Sequence, residues 1–143
     1  MGKLIVIEGT DGTGKSTQFA MLTRRLKEEG TAFRRIQFPQ YLEPSSALIR
    51  MYLNGEFGEN PNDVNAYAAS AFYAVDRYAS WRKVWGEDYK NGGLILADRY
   101  TTSNAVHQGA KCAPEERQAF FRWLDEFEHD KLGLPRADLV VYL

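Results

Sequence analysis

Short apolar runs alternate with longer amphipathic stretches along the chain. The runs KLIVIE, AFRRIQF, GLILAD and ADLVVYL are rich in β-branched and aliphatic residues, which predicts four strands. Residues 16–29, 44–55 and 63–89, the segment after residue 98 and the run APEERQAFFRWLDEFEHDKLG have helical spacing. Alternation of this kind predicts an α/β fold, a parallel sheet flanked by helices on both faces, and we expect residues 1–143 to form one domain.

The helical periodicity also predicts which faces are buried. In the first helix, Phe19, Leu22 and Leu26 share one face. The apolar side of the long helix is predicted to comprise Val64, Ala68, Ala71, Val75 and Tyr78. The acidic run DEFEHD is typical of a solvated helix face, and Trp81 and Trp85 are expected to be core or interface anchors.

The carboxyl ends of the predicted strands carry the unusual residues, and parallel sheets bind ligands at that edge. The first strand leads into GTDGTGKST, residues 9–17, which contains the P-loop pattern G-x4-G-K-[ST] between a strand and a helix. Its glycines let backbone N–H groups surround phosphates, Lys15 reaches the β- and γ-phosphates, and Ser16 offers a hydroxyl to Mg²⁺. The sheet is therefore predicted to be of the P-loop NTPase type, with a nucleotide held by Gly9, Asp11, Gly12, Thr13, Gly14, Lys15, Ser16 and Thr17.

The third strand ends in Asp98-Arg99-Tyr100. An acid at this position beside a P-loop commonly completes the Mg²⁺ shell, and Arg99 could clamp an acceptor phosphate or neutralise the transferred group. We therefore expect Lys15, Asp98 and Arg99 to be catalytic, and Ser16 and Asp98 to bind the metal. The alternative is an acid that caps the next helix beside a surface arginine.

Tyr73 and Arg77 lie one turn apart on the long helix. This spacing allows an aromatic ring to stack on a base while a guanidinium donates to a base carbonyl. Spacing alone favours the plainer alternative, a tyrosine half-buried against the sheet and a solvated arginine.

Composition and missing motifs narrow the functional class. A net charge of -1 argues against a nucleic-acid-binding surface, and no apolar run is long enough to cross a membrane. The single Cys112 cannot form an internal disulfide, which favours a reducing, cytoplasmic location. Neither the guanine-reading N-K-x-D segment of GTPases nor the LSGGQ signature of transporter ATPases is present. A small nucleotide or nucleoside kinase is the class that remains.

The segments EGTDGTGKSTQ, FYAVDRYASW, DRYTTSNAVHQGAK and GLPRADLVVYL resemble the thymidylate kinase family across essentially the whole chain. The resemblance implies phosphoryl transfer from ATP with Mg²⁺ to dTMP, giving dTDP, in a homodimer that packs partly through the long helix. It also implies that Asp11 contacts the sugar 3′-hydroxyl and that Arg99 holds the acceptor phosphate. The base and sugar pocket would be formed by Phe38, Tyr73, Arg77, Tyr100, Ser103, His107 and Gln108.

The sequence departs from the family pattern in three places. Gly12 stands where some relatives have a P-loop arginine, and Tyr41 stands where the family usually has a phosphate-binding arginine, for which Arg35 or Arg50 could substitute. We also expect a shortened chain, without the lid and the last strand and helix, whose catalytic power is reduced. Two alternatives stay open: a kinase of thymidine itself, and a nucleotide-binding module without catalysis.

Overall fold

The computed structural model describes residues 1–143 and contains one parallel sheet of four strands. The strands are β1 (Lys3–Glu8), β2 (Arg34–Gln37), β3 (Leu94–Asp98) and β4 (Leu139–Tyr142), in the spatial order β2-β3-β1-β4. β1 pairs with β3 from Lys3 opposite Leu94 to Ile7 opposite Asp98, so the carboxyl ends of the two strands lie side by side. The predicted α/β fold with a parallel sheet is confirmed.

Six α-helices connect and cover the strands. They are α1 (Lys15–Glu28), α2 (Ala47–Leu53), α3 (Ala66–Ser80), α4 (Gly86–Lys90), α5 (Thr101–Gly109) and α6 (Arg117–Asp125). The predicted long helix is present but begins at residue 66, and a π-helical segment, residues 81–85, joins α3 to α4. A second π-helical segment, residues 126–131, extends α6. No helix combines the length and the apolar character needed to cross a membrane.

Alternate residues of the strands point to opposite faces of the sheet, and each face packs into a separate hydrophobic core. On one face of the sheet, Ile7 and Leu96 pack with Phe19 of α1, and Leu22 and Leu26 complete that contact as predicted. On the other face, the cluster contains Leu4, Val6, Ile36, Phe38, Trp85, Tyr89, Ile95, Ala97 and Tyr100. The predicted anchoring role of Trp85 is confirmed, because its side chain is fully buried in this second core.

The predicted apolar side of the long helix is right at Val64, which is buried, and wrong at Val75 and Tyr78. Val75 and Tyr78 are among the exposed large hydrophobic residues, at 41% and 36% of their full accessibility. The buried residues of the helix are Ala66, Ala69, Ser70, Ala74, Asp76, Arg77 and Ser80. Asp76 and Arg77 lie inside because hydrogen-bond and ionic partners from other elements meet them there, which hydrophobic periodicity does not report.

Candidate functional site

A glycine-rich loop joins β1 to α1. Gly12 and Gly14 have φ angles of 84° and 83°, in the left-handed region that favours glycine. A Cβ built on either glycine would have no neighbour within 4 Å, so the loop is open on its outer side. Gly14 caps the amino terminus of α1, and the first turn of this helix has no acidic residue. Free backbone N–H groups at such a terminus are suited to a phosphate.

Most of the predicted nucleotide-binding residues on this loop face solvent. Gly9 is buried where the chain leaves β1, and Lys15 is buried at the start of α1. The exposed members are Asp11, Gly12, Thr13, Gly14, Ser16 and Thr17. The loop therefore offers an accessible surface of backbone and hydroxyl groups around one buried ammonium.

Lys15 and Asp98 form a buried ion pair. The Nζ atom of Lys15 lies 2.5 Å from Oδ1 of Asp98, and the two side chains are only 9% and 12% exposed. The adjacent register of β1 and β3 explains this contact, because Asp98 is the last residue of β3 and lies opposite Ile7. The ammonium of Lys15 and the carboxylate of Asp98, for which the sequence predicted separate roles, thus lie together beside the start of α1.

Arg99 follows this pair in an unusual backbone conformation. It is the one residue other than glycine with a positive φ, 66°, which costs about 1–3 kcal/mol and persists where surrounding contacts enforce it. Its backbone N–H donates to the carbonyl of Ile7 at 3.0 Å. The guanidinium Nη2 lies 3.5 Å from Oδ1 of Asp11, so the side chain spans the space between the phosphate-binding loop and the cavity described below.

The side chain of Glu8 stabilises the turn at Arg99, and the sequence analysis did not identify Glu8 as a site residue. Its buried carboxylate accepts hydrogen bonds from the backbone N–H of Tyr100 at 2.9 Å and from the hydroxyls of Thr102 and Ser103, both at 2.8 Å. One carboxylate at the end of β1 thereby fixes the chain immediately after Arg99. An acid that ends an apolar strand beside a P-loop was the available sequence signal.

A cavity of about 370 Å³ opens beyond the ends of β2 and β3. Eight of the nine predicted substrate-binding residues line it, the exception being Asp11, which lies on the exposed loop. These eight are Phe38, Tyr73, Arg77, Arg99, Tyr100, Ser103, His107 and Gln108. The charged residues of the lining are Arg77, Arg99 and Lys111, and no acidic side chain lines it, so the cavity suits an anionic ligand.

The side chain of Arg77 is buried, so the solvated arginine that spacing alone favoured is wrong. It is 2% exposed, and its Nε donates to Oε1 of Glu128 at 2.7 Å, with Nη2 at 2.5 Å from the same oxygen. Glu128 is fully buried, so the prediction that DEFEHD is a solvated face is wrong at this residue. Burial raises the pKa of Glu128, and the charge of Arg77 offsets part of that rise.

The two tyrosines of the cavity wall have different environments. Burial, with smaller contributions from Tyr41 and Tyr52, raises the pKa of Tyr73 to about 12, so its ring stays a neutral surface. The Tyr100 hydroxyl donates to the carbonyl of Pro135 at 2.8 Å, and burial raises the pKa of Tyr100 as well. Tyr100 therefore contributes a wall, since its hydroxyl is already bound to the protein.

Lys111 is a cavity residue that the sequence analysis missed. Its ammonium donates to the hydroxyl of Tyr52 at 2.6 Å and to the carbonyl of Val64 at 3.3 Å. Asn104 also lines the cavity, and its amide donates to the carbonyl of Ser70 at 3.1 Å. Both belong to the segment DRYTTSNAVHQGAK, so helical spacing from residue 100 was the signal that could have identified them.

Tyr41 stands where the family usually has a phosphate-binding arginine, and the structure locates it and its two candidate substitutes, Arg35 and Arg50. Tyr41 lines the cavity, whereas neither Arg35 nor Arg50 does. The guanidinium of Arg35 lies 4.7 Å from the ring centre of Phe19 on the α1 side of the sheet. Arg50 donates to the Ser46 hydroxyl at 3.2 Å. Arg99 is thus the arginine of the lining that lies next to the phosphate-binding loop.

A phosphate-binding loop between a parallel strand and a helix, with an acid at the end of the adjacent strand, defines the P-loop NTPase class of α/β proteins. Within this class the chain belongs to the thymidylate kinase family, whose model, described as "Thymidylate kinase", matches residues 7–143.

Individual relatives agree with this assignment. The chain is 31% identical over 141 residues to the thymidylate kinase of Mycobacterium tuberculosis H37Rv, covering 98% of this chain and 64% of the relative. It is 31% identical over 144 residues to the human thymidylate kinase, covering 99% and 60% respectively. A structure of thymidylate kinase from Candida albicans superposes with a TM-score of 0.72 at 26% identity, covering 99% of this chain and 62% of that one. The chain thus spans less than two thirds of the length of these relatives.

Proposed function

We propose that the chain transfers the γ-phosphoryl group of ATP to dTMP, giving dTDP and ADP. The observation that carries this proposal is the cavity of about 370 Å³ next to the phosphate-binding loop, with cationic side chains and no acidic ones in its lining. Such a site fits an acceptor that is itself an anion. The family membership of the chain supports the same acceptor.

We place the acceptor phosphate at Arg99 and the base at the other end of the cavity. Arg99 lies 3.5 Å from Asp11 of the phosphate-binding loop, so a phosphate held there would face the donor. Phe38 and Tyr73 supply aromatic surface for the thymine ring, and Arg77 can donate to its O4 carbonyl. Cytosine has an amine at that position, which cannot accept this hydrogen bond, so Arg77 favours thymine.

The donor side fits ATP with Mg²⁺. Ser16 and Asp98 would hold the ion through a hydroxyl and a carboxylate oxygen, the hard ligands that Mg²⁺ prefers. No group of three or more His, Cys, Asp or Glu side chains is placed to hold a metal ion by itself, so the proposed site would need nucleotide phosphates and water to complete it. When bound, Mg²⁺ would supply positive charge that neutralises the phosphates of the donor.

The chain's own residues act by positioning and by charge neutralisation. An oxygen of the acceptor phosphate attacks the γ-phosphorus, and the bond between that phosphorus and the oxygen it shares with the β-phosphate breaks as ADP leaves. Lys15 and Arg99 stabilise the negative charge that spreads over the transferred group. No general base is required, because the acceptor phosphate is already a nucleophile at neutral pH.

A substrate panel tests this function against its two alternatives. ADP production is measured with ATP and dTMP, dUMP, dCMP or thymidine, and dTMP is expected to react best. Preference for thymidine would favour a nucleoside kinase, which would leave Arg99 without an acceptor phosphate. Tight dTMP binding in calorimetry with no ADP produced would favour a binding module.

We also propose that the chain forms a homodimer partly through α3 and works in the cytoplasm. The exposed Val75 and Tyr78 on α3 support the first proposal, because they leave apolar surface without a cover. The free Cys112 is in keeping with a reducing compartment. Sedimentation velocity should show a dimer for the wild type and a monomer for Val75→Glu. An unchanged dimer in this variant would place the contact elsewhere.

A further inference from the structure

Glu128 is a fully buried carboxylate on the π-helical extension of α6. Its Oε1 accepts the Nε–H of Arg77 at 2.7 Å, and Nη2 of the same guanidinium lies 2.5 Å away. The two residues are 51 positions apart in the sequence. The contact therefore links the extension of α6 to α3, across from the cavity that Arg77 lines.

Glu128 differs from Glu8 and Asp76, two other buried carboxylates, in what it binds. Glu8 and Asp76 each accept from backbone N–H groups and hydroxyls, and so they fix turns and loops. Glu128 makes its hydrogen bond to Arg77, and its Oε2 has no hydrogen-bond partner. This carboxylate therefore holds no backbone segment in place, and its contact is with one guanidinium.

The shape of the arginine side chain determines which of its nitrogens remains free to bind a ligand. The guanidinium is a rigid plane with donors on several edges. Nε donates to Glu128, and Nη2 is buried beside the same oxygen without a hydrogen bond of its own. Because Arg77 lines the cavity, Nη1 is the nitrogen left for a ligand. A long side chain without an anchor would lose rotamer freedom each time it met a base.

We propose that Glu128 is a positioning residue that holds Arg77 with one guanidinium edge fixed and the other presented to the base of the acceptor. This role rests on the proposed function, since it assumes dTMP in the cavity. The carboxylate does not touch the acceptor. It raises affinity and base discrimination by fixing the donor in advance.

The test is calorimetric titration of dTMP, dCMP and ATP into the 143-residue chain and its Glu128→Gln variant. The amide keeps the shape of the side chain but removes the negative charge that anchors the guanidinium. We expect dTMP to bind about tenfold more weakly, which corresponds to 1.4 kcal/mol, and the preference for dTMP over dCMP to shrink. ATP affinity should stay within about twofold. In an Arg77→Ala background, Glu128→Gln should have no further effect on dTMP.

Glu126→Gln is the matched control, because Glu126 lies on the same segment and is exposed beside Lys131 at 3.9 Å. It should bind dTMP like the wild type. Unchanged dTMP affinity in Glu128→Gln would overturn the proposal, as would equal weakening of dTMP and ATP, or the same loss of dTMP affinity with Arg77 absent. If Glu128→Gln does not fold, Glu128→Asp keeps the charge one methylene further away, and the same selective loss for dTMP is expected.

A second readout separates this inference from the proposed function. The Nε–H of Arg77 should give a protected NMR signal in the ligand-free wild type and in Glu126→Gln, and lose it in Glu128→Gln. Its absence in the wild type would overturn the inference alone. A wild type that shows the signal but binds no dTMP would overturn the proposed function, and with it this role of Glu128.

Discussion

The two ends of the site are built in different ways. The donor end is one continuous loop, residues 9–17, which relies mainly on its backbone and whose surface is open to solvent. The acceptor cavity is lined by residues from 38 to 111, carried by α2, α3, α5 and the loops around them. Each of its two arginines contacts an acid outside the lining, Arg77 the buried Glu128 and Arg99 the exposed Asp11.

This difference shows what each end demands of the chain. A phosphate is the same in every nucleotide, so a local loop at a helix terminus can bind it wherever it occurs. A base and a sugar must be distinguished from close relatives, which needs side chains fixed from several directions. Under the proposed function, two buried acids would support that discrimination, because Glu8 fixes the turn after Arg99 and Glu128 binds Arg77.

Removal of the Lys15 ammonium should have the largest effect and should fall on the donor end. Lys15→Met is expected to lower the rate of phosphoryl transfer by on the order of 10²–10³-fold, because it deletes the charge that meets the transferred group. The affinity for dTMP should change little. Rates are compared with those of Lys27→Met, an exposed lysine in the last turn of the same helix. An equal loss of dTMP binding would break the separation of the two ends.

Arg77→Ala should have the largest effect on stability. It leaves Glu128 buried without its partner, so the free energy of unfolding should fall by about 3–5 kcal/mol in urea titrations. Replacing both members, Arg77→Met with Glu128→Leu, should regain most of this loss, because no charge is then left buried. Full additivity of the two changes would contradict an interacting pair.

Glu8→Gln should have an intermediate effect on stability. The amide keeps the volume but weakens the charge-assisted acceptor of Tyr100, Thr102 and Ser103, so the free energy of unfolding should fall by about 1.5–3 kcal/mol. Because the same turn carries Arg99, the affinity for dTMP should fall as well. Glu28→Gln, on the exposed surface of α1, should change neither quantity.

Gln108→Met should have the smallest effect on stability, and one of opposite sign. The Oε1 atom of Gln108 is buried without a hydrogen-bond partner, although the residue lines the cavity. The ligand-free chain should gain about 1 kcal/mol of unfolding free energy when this unsatisfied atom is removed. Binding of dTMP should weaken, because a polar contact to the acceptor is lost. A loss of stability would mean that the amide has a partner within the protein.

The sequence predicted the donor end well because all of its determinants are local. The strand before residue 9, the glycine spacing and the helix from Lys15 can be read within about twenty residues, and the structure has them in that order. Strand alternation likewise predicted the parallel sheet. The positions of Phe38 and Arg99 at the cavity followed from the rule that strand ends meet at one edge.

The acceptor end was predicted less completely because its determinants are tertiary. Glu128 stands in an acidic run whose pattern is that of a solvated face, and it is buried only because Arg77 meets it from another helix. The apolar side predicted for α3 failed at Val75 and Tyr78 for a similar reason, since Asp76 and Arg77 take the inner face with partners from other elements. Hydrophobic periodicity cannot find a charge whose cost of burial is offset by a residue 51 positions away.

The orientation of the acceptor is the central claim, and one comparison of affinities tests it most directly. Binding of dTMP and of thymidine is measured by calorimetry in the wild type, Arg77→Ala and Arg99→Asn. Asparagine is used because it tolerates the left-handed φ of 66° at this position. We expect Arg77→Ala to weaken both ligands by a similar factor, since both carry thymine. Arg99→Asn should lower the affinity for dTMP toward that for thymidine and leave thymidine unchanged. Equal weakening of both ligands by Arg99→Asn would contradict the placement of the phosphate beside the P-loop.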